Sequence, residues 1–111
     1  MKICEIKKLL NLKAVCETEN KLNAEIDCAV CGDMLSHIMS HSKGGVWVTV
    51  TGNINTVAVA VFANIKMIII ANGCEIDEDA AEKAEEIGIA VYQSEMSEYE
   101  ICGRLYEKLK K

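Results

Sequence analysis

The chain is 111 residues long, carries a formal net charge of −5, and half of its residues are hydrophobic. That composition excludes a disordered chain. Twelve basic residues against 17 acidic ones exclude nucleic acid as the main partner, which demands a basic face. The length predicts a single domain over residues 1–111.

The predicted elements follow in chain order. Ile3, Ile6, Leu9 and Leu10 recur at helical spacing, so residues 2–11 form a helix. Lys13 to Glu17 is a short strand, Thr18 to Asn23 a polar turn, and Glu25 to Cys31 a second strand. Asp33 is placed to cap a helix with Met34, Leu35, Ile38 and Met39 on one face, and Gly44 and Gly45 stop it. Gly45 to Thr51 (GVWVTVT) is a strong strand. Thr56 to Ala63 alternates Val with Ala like a strand, but Ile54, Val57, Val61 and Ile65 also make a helical stripe. Flanking strands on both sides favour a helix that crosses between them.

Lys66 to Ala71 (KMIIIA) is apolar on both faces, as a buried parallel strand requires. Asp77 to Ile87 is an acid-started helix with Ala80, Ala84 and Ile87 facing inward and Gly88 at its end. Ile89 to Gln93 is the last strand. Ser97 and Glu100 form a capping box for a final helix whose stripe is Ile101, Leu105 and Leu109. The alternation predicts a three-layer α/β/α sandwich with a mostly parallel sheet.

The charges are segregated. Seven acids lie between Glu75 and Glu86 with Lys83 as their single counter-charge, and Arg104, Lys108, Lys110 and Lys111 gather at the C-terminus. Helix-dipole complementation accounts for both clusters. The start of the chain has no apolar signal segment, and Val57 to Ala71 is too short and too polar to span a bilayer. A cytoplasmic protein with no membrane partner is expected. Six cysteines are then expected as free thiols, with Cys16, Cys28 and Cys102 as small buried hydrophobes and Cys4 and Cys74 more exposed. Trp47 fits either the core or an apolar interface.

Chemistry in an open α/β sheet collects at the carboxyl ends of the parallel strands. Three such ends are legible: Thr51-Gly52-Asn53, Ala71-Asn72-Gly73-Cys74 and Ser94-Glu95. Thr51, Gly52, Asn53, Asn72, Gly73 and Ser94 are the candidate ligand-binding residues. Glycine lets a ligand approach the backbone, and helix starts just beyond point N–H groups outward, which suits phosphate or carboxylate. The plainer reading is that these are strand–helix turns needing Gly and Asn backbone angles. Neither GxGxxG nor GxxxxGK[ST] is present.

Cys28 and Cys31, with His37 and His41 following, invite a metal reading through Cys28, Cys31 and His41. The spacer between them is far shorter than that of a zinc finger. No metal or other cofactor is expected. Ser36 and Ser40 neighbour the histidines in sequence, but adjacent helical residues do not face each other, so no nucleophile–base pair is expected and no enzyme activity follows.

Four segments carry a family resemblance: Cys31–Met39 (CGDMLSHIM), Val46–Ile54 (VWVTVTGNI), Lys66–Cys74 (KMIIIANGC) and Glu100–Tyr106 (EICGRLY). Together they resemble the DRTGG domain, most of all its free-standing members. The match includes Asp33, Met34, Leu35 and Ser36 at a helix start and Cys102, Gly103, Leu105 and Tyr106 near the end. The resemblance implies a fold similar to the amino-terminal domain of HPr kinase. It also implies a non-catalytic regulatory module that dimerises and binds an adenine nucleotide. Free-standing members are associated with anaerobes and with hydrogenase or iron–sulfur genes. The family's Asp-Arg is replaced here by Gly52-Asn53-Ile54, and its Thr-Gly-Gly by Ala71-Asn72-Gly73. Without the arginine a bidentate phosphate partner is missing, so a weaker or less charged ligand is expected. The expected function is therefore a homodimeric small-ligand-binding module for an anion or adenine nucleotide. A metal or iron–sulfur handling protein and a scaffold docking a partner protein through the acidic Glu75–Glu86 surface are the alternatives.

Overall fold

A computed structural model describes residues 1–109. The C-terminal Lys110 and Lys111, half of the basic cluster noted above, lie outside the described residues. The elements are α1 (Ile3–Leu10), β1 (Lys13–Cys16), β2 (Ala29–Cys31), α2 (Leu35–His41), β3 (Gly45–Thr49), α3 (Ile54–Phe62), β4 (Ile65–Ile70), α4 (Glu78–Ile87), β5 (Ala90–Gln93) and α5 (Glu98–Leu109), with a 3-10 turn at Glu19–Lys21. The strands form one sheet in the order β1-β5-β4-β3-β2. β2, β3, β4 and β5 are parallel, and β1 is antiparallel to β5.

The pleat explains the layers. Val46, Val48, Met67, Ile69 and Tyr92 point to the face covered by Ile3, Ile6 and Leu10 of α1 and Ile101 and Leu105 of α5. Trp47, Ile68, Ile70 and Val91 alternate to the opposite face, against Ile38 of α2, Val57 and Ala60 of α3, and Ala80 and Ala84 of α4. Helices thus cover both faces, as a parallel sheet with double-sided apolar strands requires. Among the described residues, no helix is long and apolar enough to cross a membrane.

Several expectations are corrected. The second strand is confined to Ala29–Cys31, and Glu25 makes only an isolated bridge with Lys2. Asp33 does not cap α2; Met34 occupies the N-cap position, and the Asp33 side chain turns to β3 instead. Of the predicted α2 face, Ile38 is buried, whereas Met34 and Met39 are exposed. The segment after β3 is the helix expected from topology, but its buried side is Thr56, Val57, Val59 and Ala60, and Ile54 and Val61 face outward with Phe62. A helix apolar all round has no amphipathic direction to read. Trp47 is in the core at 0% exposure, its Nε1 donating to Gly32 O at 2.9 Å. Cys16 is buried as expected, but Cys28 and Cys102 are half-buried and Cys31 is the exposed thiol.

Gly45 is forced by space and by angle. Its φ is +79°, and a Cβ there would strike the carbonyl of Cys28 on the approaching β2 segment.

Candidate functional site

The carboxyl ends of β2, β3, β4 and β5 lie along one edge of the sheet, and their loops are tied to one another. Asp77 N donates to Gly52 O at 2.6 Å, Gly73 N to Ser94 O at 2.9 Å, and Asn72 N to Met96 O at 2.7 Å. Ile76 N donates to Gln93 Oε1 at 3.1 Å. The predicted residues after β3, β4 and β5 are therefore brought to a single edge, as parallel topology dictates.

Their individual settings differ. Gly52 is buried beneath the loop before α4, where a Cβ would lie 2.6 Å from Ile76 Cα and 2.8 Å from Glu75 O. Its glycine is demanded by a neighbouring chain segment. Asn53 caps α3, its Oδ1 accepting from Asn55 N at 2.9 Å and Thr56 N at 3.1 Å. That leaves the amide NH2 of Asn53 for other partners. Thr51 is half-buried, and its hydroxyl reaches Asp33 Oδ1 at 3.4 Å. Asn72 is exposed with a left-handed φ of 63°. Gly73, with φ +72°, sits under the Glu95 carboxylate, and Ser94 Oγ accepts from Met96 N at 3.0 Å.

Gly73 and Ser94 also line a cavity of about 180 Å³ with Asn11, Lys13, Cys74, Gln93 and two carboxylates, Glu75 and Glu95. The Lys13 ammonium is the group in it suited to an anion, and it arrives from β1, the one strand antiparallel to the rest. Sequence reasoning missed Lys13 because nothing local ties a residue near the start of the chain to a strand end near residue 94. The helix starts at this edge are unequal. α4 and α5 carry acids in their first turns, and α3 carries none. The first turn of α3, like that of the shorter α2, thus carries no acid of its own, and the carboxylate near it is Asp33, 3.4 Å from the Thr51 hydroxyl.

Asp33 is the second residue missed. Its Oδ1 accepts from Thr49 Oγ1 at 2.5 Å and Val50 N at 2.9 Å, joining the end of β2 to the end of β3. Glu98 at the start of α5 faces it; burial first and the Asp33 charge second push the Glu98 carboxyl above its ordinary value.

The cysteine–histidine set does not converge. Cys28 Sγ lies against the carbonyls of Lys43 and Gly44, while Cys31 Sγ donates to Glu98 Oε2 at 3.5 Å near the other end of β2. His41 stacks on His37 with ring centroids 4.1 Å apart on the exposed side of α2. Among the described residues, no group of three or more His, Cys, Asp or Glu is placed to hold a metal ion. Contrary to expectation, Ser40 Oγ does reach His41 Nδ1, at 2.8 Å. The same hydroxyl lies 3.1 Å from Ser36 O and the pair is exposed.

The fold and this edge define a class: a three-layer α/β/α domain whose open polar edge lies at the carboxyl ends of its parallel strands. The DRTGG domain matches residues 5–107, and the chain belongs to that family. It is similar in structure to the CBS and DRTGG domains of the regulatory region of Clostridium perfringens pyrophosphatase, crystallised with the activator diadenosine tetraphosphate. The TM-score is 0.75 at 13% identity, over 94% of this chain and 45% of that one, so the likeness is one of fold. This chain spans less than half of that regulatory region. A comparison with curated proteins finds no match.

Proposed function

We propose that this chain is a non-catalytic regulatory module that binds a small anionic ligand, an adenine nucleotide by preference, at the strand-end edge, and that it works as a homodimer. The observation that carries the reading is the first turn of α3, without an acid of its own, directly after Thr51 and Asn53 on an edge that also holds Asn72 and the Lys13 cavity. The complex of the Clostridium perfringens regulatory region with an adenine dinucleotide supports the ligand class. The free NH2 of Asn53 and the exposed Asn72 amide offer hydrogen bonds for a base edge or ribose, and Lys13 offers a positive charge for phosphate, the Asn55 and Thr56 amides being taken by the Asn53 cap. Gly52 contributes from below, by letting the loop before α4 close over it.

The dimer reading is supported by α3. This helix has no charged residue, yet Ile54, Val61 and Phe62 are 40%, 55% and 70% exposed. In a chain of net charge −5, an uncharged apolar face is where two copies can meet without repulsion.

Thermal shift against mono-, di- and dinucleoside polyphosphates tests the ligand. At about 100 times its dissociation constant, a ligand of the folded state stabilises by about 2.7 kcal/mol, a Tm rise on the order of 10 °C here. Asn53→Asp keeps the capping oxygen and adds a negative charge, and Asn72→Gly keeps the left-handed turn and removes the amide. Both should fold, and both should diminish the shift. No shift across the panel at millimolar ligand overturns the reading.

A further inference from the structure

The opposite flank of the molecule has a surface that the strand-end reading does not use. β2 is the last strand of the sheet. Its inner side bonds β3: Val46 N donates to Cys28 O and Gly32 N to Val48 O, each at 3.1 Å. Peptide groups alternate along a strand, so Ala29 and Cys31 turn their N–H and C=O groups away from the sheet. A groove of about 360 Å³ runs between this edge and α5, lined on the α5 side of the sheet by Ala29, Cys31, Cys102, Leu105 and Leu109, while the Val30 side chain turns to the opposite face with Trp47. Asp27 lines one end of it, and just beyond the other end Cys31 Sγ donates to Glu98 Oε2 at 3.5 Å, with Asp33 beside Glu98; no described lysine or arginine forms a salt bridge with any of the three.

We propose that the β2–α5 groove docks an extended segment of a partner protein, with alternating aliphatic side chains and a lysine or arginine at one end. Each feature selects part of that occupant. Outward N–H and C=O groups are satisfied along their length only by another strand. The apolar floor takes every second side chain of that strand. The basic residue neutralises the Asp33–Glu98 end. Charge also argues against a second copy, because two β2 edges paired antiparallel would bring Asp27 of one chain toward Asp33 and Glu98 of the other, like charges in both halves. The groove shares no residue with the Lys13 cavity, and where it nears the nucleotide edge, at Asp33 beside Thr51, the mapped shifts tell the two readings apart.

The test is a fluorescence polarisation titration of the full chain with a labelled synthetic peptide, Lys-Val-Ser-Val-Ser-Val, followed by amide NMR mapping. Saturable binding is expected, with shifts confined to residues 28–33 and 98–109. A glutamate in place of the peptide's lysine should weaken binding about tenfold, and Glu98→Gln should narrow that difference. Ala29→Pro removes an outward N–H and should weaken binding about tenfold or more. N-methylation of alternate peptide amides should do the same with the protein unaltered, which keeps the test valid if Ala29→Pro fails to fold. Absence of saturable binding at millimolar peptide, shifts mapping to α3, or undiminished binding of the N-methylated peptide would each overturn the proposal. So would a dimer of the free chain that Ala29→Pro dissociates, which would assign the edge to a second copy.

Discussion

Tyr92 of β5, fully buried, donates its hydroxyl to Glu17 Oε2 at 2.5 Å, and Lys7 of α1 holds Glu17 Oε1 at 3.0 Å. One carboxylate thereby joins the central sheet, the end of β1 and the first helix. The Tyr92 hydrogen bond, ahead of Lys7, holds the Glu17 carboxyl below its ordinary value, although partial burial opposes this. Burial and Glu17 together push the Tyr92 hydroxyl up.

The pH dependence follows from those two directions. Glu17 contributes stability that is complete above its unfolded value near 4.5 and is lost as pH falls through its lower folded value. Tyr92 contributes stability that is complete below its unfolded value near 10 and declines as pH rises beyond it. Tyr92→Phe should cost about 1–3 kcal/mol at neutral pH and flatten both limbs. Urea unfolding of wild type and variant between pH 3 and the alkaline range checks this, and unchanged limbs would refute it.

Gly45→Ala should be far more damaging than a surface change. It combines a positive φ with a collision against Cys28 O, so a loss of about 3 kcal/mol or more, or failure to fold, is expected. Gly103→Ala, on the exposed side of α5 with nothing within 4 Å of its Cβ position, should instead be neutral or raise stability by about 0.5–1 kcal/mol. Paired chemical denaturation curves separate the two.

Phe62→Asp should leave stability within about 0.5 kcal/mol, because the side chain is 70% exposed. The same change should convert a particle of twice 12.2 kDa into one of 12.2 kDa by light scattering at tens of micromolar. A wild-type chain already at 12.2 kDa removes the dimer from the proposed function.

Thiol reactivity should not follow exposure. Cys31 is the exposed thiol, but desolvation of its sulfur first, then the neighbouring Cys102 and Glu98, push it well above the ordinary thiol value. Iodoacetamide labelling read by mass spectrometry should therefore be slow at Cys31 at neutral pH and accelerate on alkalinisation. Glu98→Gln should speed it, whereas a purely steric barrier would be indifferent to that charge.

Much of the fold lies in local pattern. GVWVT and KMIII read as core strands, and Gly45–Thr49 and Met67–Ile70 are buried in the sheet, with Lys66 exposed at the start of β4. Gly88 ends α4 in the left-handed conformation expected of a glycine there, and Ser97 Oγ accepts from Glu100 N at the start of α5. The edge that gathers Thr51, Asn53, Asn72 and Ser94 follows from strand parallelism alone, since parallel strands must end on the same side.

Other features depended on contacts between distant segments. The uncharged α3 has no polar stripe, so only its packing against β3, β4 and α4 selects Val57 and Ala60 as the inward side. Asp33 looked like a helix cap, but the end of β3 brings Thr49 and Val50 N within reach, and a carboxylate takes the stronger set of donors. Lys13 and Glu98 entered their clusters only when β1 paired with β5 and α5 crossed toward β2. Periodicity, caps and turn residues act over a few positions and are written in the sequence. Which surfaces meet is decided by burial summed over the whole chain, and the tertiary structure alone settles that.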